Sequence, residues 1–143
     1  MIIRGYFAAP VRGVDGDNVD KETKEYNVQL GIEIGQAIAR AFPCLDLVIP
    51  HEHELIIDRL WRNGVSSETI VQSWCEIVEG CQILIVFTGN GVGGGIQREM
   101  ETARQAGKIV FEFERWDEYA KERLAREINE IIIKYEMQDL QSE

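Results

Sequence analysis

Four short apolar runs punctuate the chain: residues 2–8, 45–49, 82–88 and 108–113. Between them lie segments in which apolar positions recur every three or four residues. Gln82 to Thr88 (QILIVFT) is continuous, β-branched and too short for a buried helix, which fits a strand covered on both faces of a parallel sheet. The first intervening segment carries Tyr26, Leu30, Ile34, Ala37, Ile38 and Phe42 as one stripe, with Asn18 or Asp20 as cap and Pro43 as stop. Leu55 to Trp61 reads as a short helix ended by Asn63-Gly64. Ser66 or Ser67 caps another helix through Glu79, with Ile70, Trp74, Ile77 and Val78 expected on the core side. Met100 and Ala103 mark a helix that ends at Gly107. The last, from Asp117 to Met137, has Tyr119, Leu124, Ile128, Ile131, Ile132 and Tyr135 on one wide face, predicted to cover the sheet and part of a subunit contact. Strands alternating with helices predict one α/β domain over residues 1–137, three-layered and Rossmann-like (flavodoxin-like), with a mostly parallel sheet of four to five strands and a frayed tail over 138–143.

The third strand runs straight into glycines at 89, 91, 93, 94 and 95, and these feed a helix carrying Glu99. Glycines let a backbone approach a ligand closely, and the free N–H groups of a helix start attract anions. The polar loop from Pro10 to Asp20, with Arg12 as its cation, follows the first strand and so shares the same edge of the sheet, where α/β folds place ligands. No Lys-Ser or Lys-Thr follows the glycines, so the loop is not a P-loop. It also lacks the spacing and early position of a dinucleotide fingerprint.

A net charge of -10 argues against binding to nucleic-acid polymers, which need a basic stripe, while leaving room for a small anion held by local donors. The three cysteines are odd in number and lack a CxxC, and they read as reduced core thiols of a cytoplasmic protein. No run suits a signal peptide or a membrane span. His51 and His53 stand two apart. In an extended chain they would point the same way and could hold a transition metal, but no third ligand commits to such a site, so the pair reads as a polar loop at the pocket mouth with His51 near substrate. No metal and no cofactor is expected. Trp74 reads as packing or as a stacking platform.

Read together, the two loops carry a resemblance. Tyr6-Phe7-Ala8-Ala9-Pro10-Val11-Arg12-Gly13 resembles the Y-(L/F)-A-G-P-(F/Y/I)-R-G segment of the nucleoside 2-deoxyribosyltransferase superfamily, which includes the nucleoside 5′-monophosphate N-glycosidases. Gly95 to Val110 is similar to its second motif, G-x-x-x-E-x-x-x-A-x-x-x-G-K-x-(V/I). The resemblance spans roughly residues 2 to 115. It implies that Glu99 is the nucleophile or charge stabiliser at the anomeric carbon, that Tyr6, Ala9, Pro10, Arg12 and Gly13 line the substrate site, and that Gly93 and Gly95 face Arg12 across a 5′-phosphate. It also implies dimers or higher assemblies in which a neighbour completes the pocket. The chain departs from the pattern at several points. Trp74 stands where many members carry an Asp before the central strand, with Glu76 as the nearest substitute acid, and Gln82, Ala9 and Glu101 replace a common Asp, a glycine and a small residue. The implied activity is cleavage or transfer at the N-glycosidic bond of a nucleoside or nucleoside 5′-monophosphate. A non-catalytic nucleotide or nucleotide-sugar binding module is the alternative, and a metal-dependent hydrolase built on His51 and His53 is a more distant one.

Overall fold

A computed structural model describes residues 1–11 and 19–142. Four strands form one sheet: β1 (Ile3–Ala8), β2 (Leu45–Val48), β3 (Ile83–Phe87) and β4 (Ile109–Phe113), in the order β2-β1-β3-β4. All three pairings are parallel, with Gly5 beside Leu47 and Ile83, and Ile85 beside Phe111. β3 is buried on both faces, as a continuous apolar run requires, and so is β1 except at Arg4, which is exposed. Alternation along them sorts the core into two layers. Ile3, Phe7, Ile83, Ile85, Phe87, Phe111 and Phe113 point to one side, under helices α1 (Lys21–Ala41) and α5 (Glu118–Ser142). Tyr6, Ala8, Leu84 and Val86 point to the other, under α3 (Ser67–Glu79) and α4 (Gly94–Gln105). The protein is therefore a three-layer, Rossmann-like α/β domain. The order reverses between β1 and β3, and the helices that follow those two strands, α1 and α4, lie on opposite faces of the sheet, leaving a crevice between the strand ends.

Between β2 and α3 the chain forms a 3-10 helix over Pro50–His53 and then α2 (Glu54–Arg62). Asp20 caps α1 by accepting from the Thr23 N–H at 2.6 Å, which holds its carboxyl below the usual range, and Ser66 caps α3 in the same way through Thr69. Gly64 closes α2 and Gly107 follows α4, both with positive φ.

Packing shifts several faces from where periodicity alone puts them. The buried line of α1 is Asn27, Gly31, Gly35 and Ile38, and Tyr26 is exposed. A β-carbon on Gly35 would lie 3.0 Å from Phe7 and Ile49, and one on Gly31 would lie 2.9 Å from the His51 ring, so α1 meets the sheet through its glycines because only they permit that approach. Ile77 of α3 is likewise exposed, its place in the core taken by Cys75 and Val78. In α5 the contact is Ala120, Leu124, Ile128 and Ile131, a narrower line than the pattern predicts, with Tyr119 and Tyr135 outside it. The expected frayed tail is helical through residue 142. Cys44, Cys75 and Cys81 are free thiols, with burial pushing Cys81 upward. No described helix is long and apolar enough to cross a membrane.

Candidate active site

The crevice at the β1/β3 reversal is a cleft of about 1010 Å³. Its floor is the carboxyl end of β1: Tyr6, Ala9 and Pro10 all line it. The β3-α4 glycines form one wall. Gly93 is the cap residue of α4 and offers no side chain, and a β-carbon on Gly93 or Gly94 would meet nothing within 4 Å. The first N–H groups of α4 are thus left to a ligand, as an anion site at a helix start requires. Gly91, with φ of +90°, makes the turn that brings them there. The loops on either side of the crevice are tied together by a short relay, in which Asn90 donates to the Asn27 side chain at 3.2 Å and Asn27 donates to the Val11 carbonyl at 2.9 Å.

Glu99 lines the cleft from the second turn of α4 and is 8% exposed. Its Oε2 is buried without a hydrogen-bond partner. Helical period brings it there: Ile96, Met100 and Ala103 pack on β3, and Glu99 lies beside that line, turned toward the end of β1. The Tyr6 hydroxyl donates to its carboxylate. Burial dominates nonetheless, and pushes the Glu99 carboxyl from 4.5 up to about 7, with the Tyr6 bond pulling in the opposite direction. Tyr6 itself is held far above the ordinary phenol range, first by burial and then by the charge of Glu99, so it remains a donor at any working pH.

His51 is 5% exposed and lines the same cleft, and neither ring nitrogen has a hydrogen-bond partner. Burial lowers it to about 4, with the nearby Ala9 carbonyl opposing only weakly, so the ring is neutral near pH 7 and presents one donor and one acceptor. The expectation that His51 and His53 share one direction fails. They sit in a 3-10 helix rather than an extended chain, so His51 turns inward and His53 outward, where it lies 6.4 Å from the Trp74 ring. Among the described residues no cluster of three His, Cys, Asp or Glu could hold a metal.

Of the residues expected at the site, Tyr6, Ala9, Pro10, His51, Gly93, Gly95 and Glu99 converge on this cleft. Arg12 and Gly13 lie outside the described residues. Glu76 is not brought to Glu99. It stands exposed two positions beyond Trp74, which places it about 200° around a helix whose cleft-facing residues are Ser67, Ile70, Val71 and Trp74. Sequence reasoning missed Lys24, Glu54, Asp58 and Trp61, which also line the cleft. Lys24 and Glu54 bridge at 3.5 Å, and Asp58 pairs with Arg62 at 3.1 Å. The signal that could have found the last three is the spacing of 54, 57, 58 and 61 on α2, which puts them on one helical face.

Comparison with known proteins adds no relative: no family model, no curated protein and no solved structure matches the chain.

Proposed function

We propose that the cleft binds a nucleoside or nucleoside 5′-monophosphate and that Glu99 acts at its anomeric carbon, so that the protein cleaves or transfers at the N-glycosidic bond. The observation that carries this reading is a buried carboxylate with one unpartnered oxygen, aligned by a tyrosine and set beside an uncapped helix start in one cleft. The resemblance of the two loops to the nucleoside 2-deoxyribosyltransferase superfamily supports it. In the ionised form a Glu99 oxygen attacks C1′ as the C1′–N bond breaks, and the electron pair of that bond leaves with the base, which takes up a proton. Water then displaces Glu99 to give hydrolysis, or a second base does so to give transfer. Desolvation strengthens the carboxylate's attraction for the oxocarbenium-like charge of the transition state. The N–H groups at Gly94 and Gly95 suit a 5′-phosphate. Release of free base from a panel of nucleosides and monophosphates, followed by chromatography, tests the proposal, and a panel that remains intact rejects it.

One observation favours the non-catalytic alternative. The cleft's other described carboxylates, Glu54 and Asp58, are both ion-paired, and Glu76 lies elsewhere, so among the described residues no second carboxyl stands free in the cleft to protonate the leaving base. A neighbouring subunit would supply it. Ile133, Met137 and Leu140 are 47, 56 and 72% exposed along the end of α5, and this unpaired apolar line agrees with assembly. Light scattering is expected to return a dimer or larger, whereas a 16.3 kDa species at concentrations where the protein is active removes the neighbour from the site.

Arg12→Ala is expected to weaken 5′-monophosphates by on the order of 1.5–3 kcal/mol, as for a lost charge-assisted bond, and to leave 5′-hydroxyl nucleosides nearly unchanged. Calorimetric titration of both ligand types checks this, and an equal loss for the two would remove Arg12 from the phosphate.

A further inference from the structure

Helices α2 and α3 follow one another in the chain, yet they make at most marginal contact, and α2 packs chiefly on the 3-10 helix before it. Each nevertheless presents an i, i+3, i+4, i+7 face to the cleft: positions 54, 57, 58 and 61 on α2, and 67, 70, 71 and 74 on α3. That spacing is the one by which helices bury an apolar stripe. Here the stripes comprise Ile57 and Trp61 on one side and Ile70, Val71 and Trp74 on the other, and the space between them belongs to the cleft. No residue of α2 is buried, and Trp61 remains 57% exposed although it lines the cavity. Trp74 is half-buried and braced edge-on against Tyr6, with ring centroids 6.1 Å apart, so one of the two indoles is tied directly to the partner of Glu99. The α2 face is mixed, with Glu54 and Asp58 ion-paired beside Ile57 and Trp61, so the slot between these two apolar side chains and the apolar residues of α3 suits an occupant with two apolar faces of its own. Hydrogen-bonding capacity at the neighbouring rim, from the unpartnered His51 ring and Glu99 Oε2, adds that the occupant is polar at its edges. A flat aromatic heterocycle has both properties.

We infer that Trp61 and Trp74 form the walls of a subsite that stacks the base of the ligand. This assignment rests on the nucleoside reading above and deepens it: the sugar carbon faces Glu99, the phosphate faces the start of α4, and the base extends between α2 and α3. Trp61, on the helix with nothing buried, is the wall that adds its surface when the base enters, and Trp74 is the fixed one.

The chain has three tryptophans, and the third serves as an internal reference. Trp116 packs edge-on against Phe113, with centroids 5.6 Å apart, and does not line the cleft. The full-length protein is titrated with adenosine 5′-monophosphate and with ribose 5-phosphate, which carries the same phosphate without a base, following tryptophan fluorescence and binding heat. Adenosine 5′-monophosphate is expected to quench the emission and ribose 5-phosphate to leave it unchanged. Trp61→Ala and Trp74→Phe should each weaken the nucleotide on the order of tenfold, as expected for one lost stacking surface, and weaken the sugar phosphate less than about twofold. Because α2 buries no residue, Trp61→Ala tests the subsite without disturbing the core. Equal weakening of both ligands, or undiminished nucleotide affinity in Trp61→Ala and Trp74→Phe, overturns the assignment. Base release assayed on the same samples separates the two ideas. Quenching without release retains the subsite and rejects the glycosidic reaction, release with wild-type affinity in both variants rejects the subsite alone, and no binding of the nucleotide rejects both.

Discussion

Replacing Glu99 by glutamine is expected to abolish release of the base and, at pH 8, to make the folded protein more stable than the wild type by about 3 kcal/mol. The two effects share one cause. Glu99 is buried with an unpartnered oxygen, and its carboxyl is raised from 4.5 to about 7. Below pH 4.5 the group is protonated in both folded and unfolded chains and its ionisation contributes nothing. Between pH 4.5 and 7 the unfolded chain releases the proton while the folded one keeps it, so folding stability falls as pH rises. Above 7 the full cost is present, because the charge now sits in the folded core. Glutamine keeps the shape and can still accept from Tyr6, but it has no charge to bury and none to offer an oxocarbenium ion. Urea denaturation of both proteins at pH 4.5 and pH 8 checks the stability difference, which should be close to absent at the lower pH. Base release should rise with pH through about 7 in the wild type, following the ionised form. Undiminished turnover by the glutamine variant would end the nucleophile assignment. An unchanged stability gap between the two pH values would mean that Glu99 ionises as an ordinary surface carboxylate.

His51 should produce the opposite slope. Its ring is buried without partners, and burial lowers it from 6.5 to about 4. Above pH 6.5 the imidazole is neutral in both states. As pH falls from 6.5 to 4 the unfolded chain takes up a proton that the folded chain refuses, and about 3 kcal/mol of stability is lost. Over pH 4.5 to 6.5 this loss on acidification runs against the gain from Glu99, so the wild type should be nearly flat there. His51→Leu is expected to remove the acid-side loss and leave stability falling steadily as pH rises from 4.5 to 7. Thermal melts of the wild type and His51→Leu across pH 4 to 8 read this directly. Identical profiles for the two would show that the imidazole finds a proton partner in the folded state. The same experiment on Glu99→Gln should expose the acid limb alone, so the two variants together separate two ionisations that conceal one another in the native protein.

The strands and the end of the sheet that carries the site were legible in the chain itself. The period-free apolar run at 82–88 fits a strand covered on both faces of a parallel sheet, and a glycine loop leaving such a strand emerges at its carboxyl end, whereas the run at 108–113 forms the edge strand β4 with Glu112 exposed. Glu99, one turn past the free N–H groups of Gly94 and Gly95, was placed near the cleft by local geometry alone. Tertiary packing decided the rest. The buried line of α1 runs through Gly31 and Gly35, whose lack of a side chain looks like weakness to a periodicity argument but permits contact with His51 and Phe7. The direction of His51 was set by a 3-10 turn that Pro50-His51-Glu52-His53 does not announce, and its low basicity by burial beneath α1. Glu76 was discarded by helical phase, once Trp74 had been fixed toward Tyr6. The spacing of 54, 57, 58 and 61 puts Asp58 and Trp61 on one face of α2, but only packing laid that face across the cleft, with no residue of α2 buried. Sequence determines what depends on neighbours along the chain, namely strand, cap and turn. Which side chains share a cavity, and how far that cavity shifts their proton affinities, depends on residues forty and ninety positions apart, and only the packed structure brings those together.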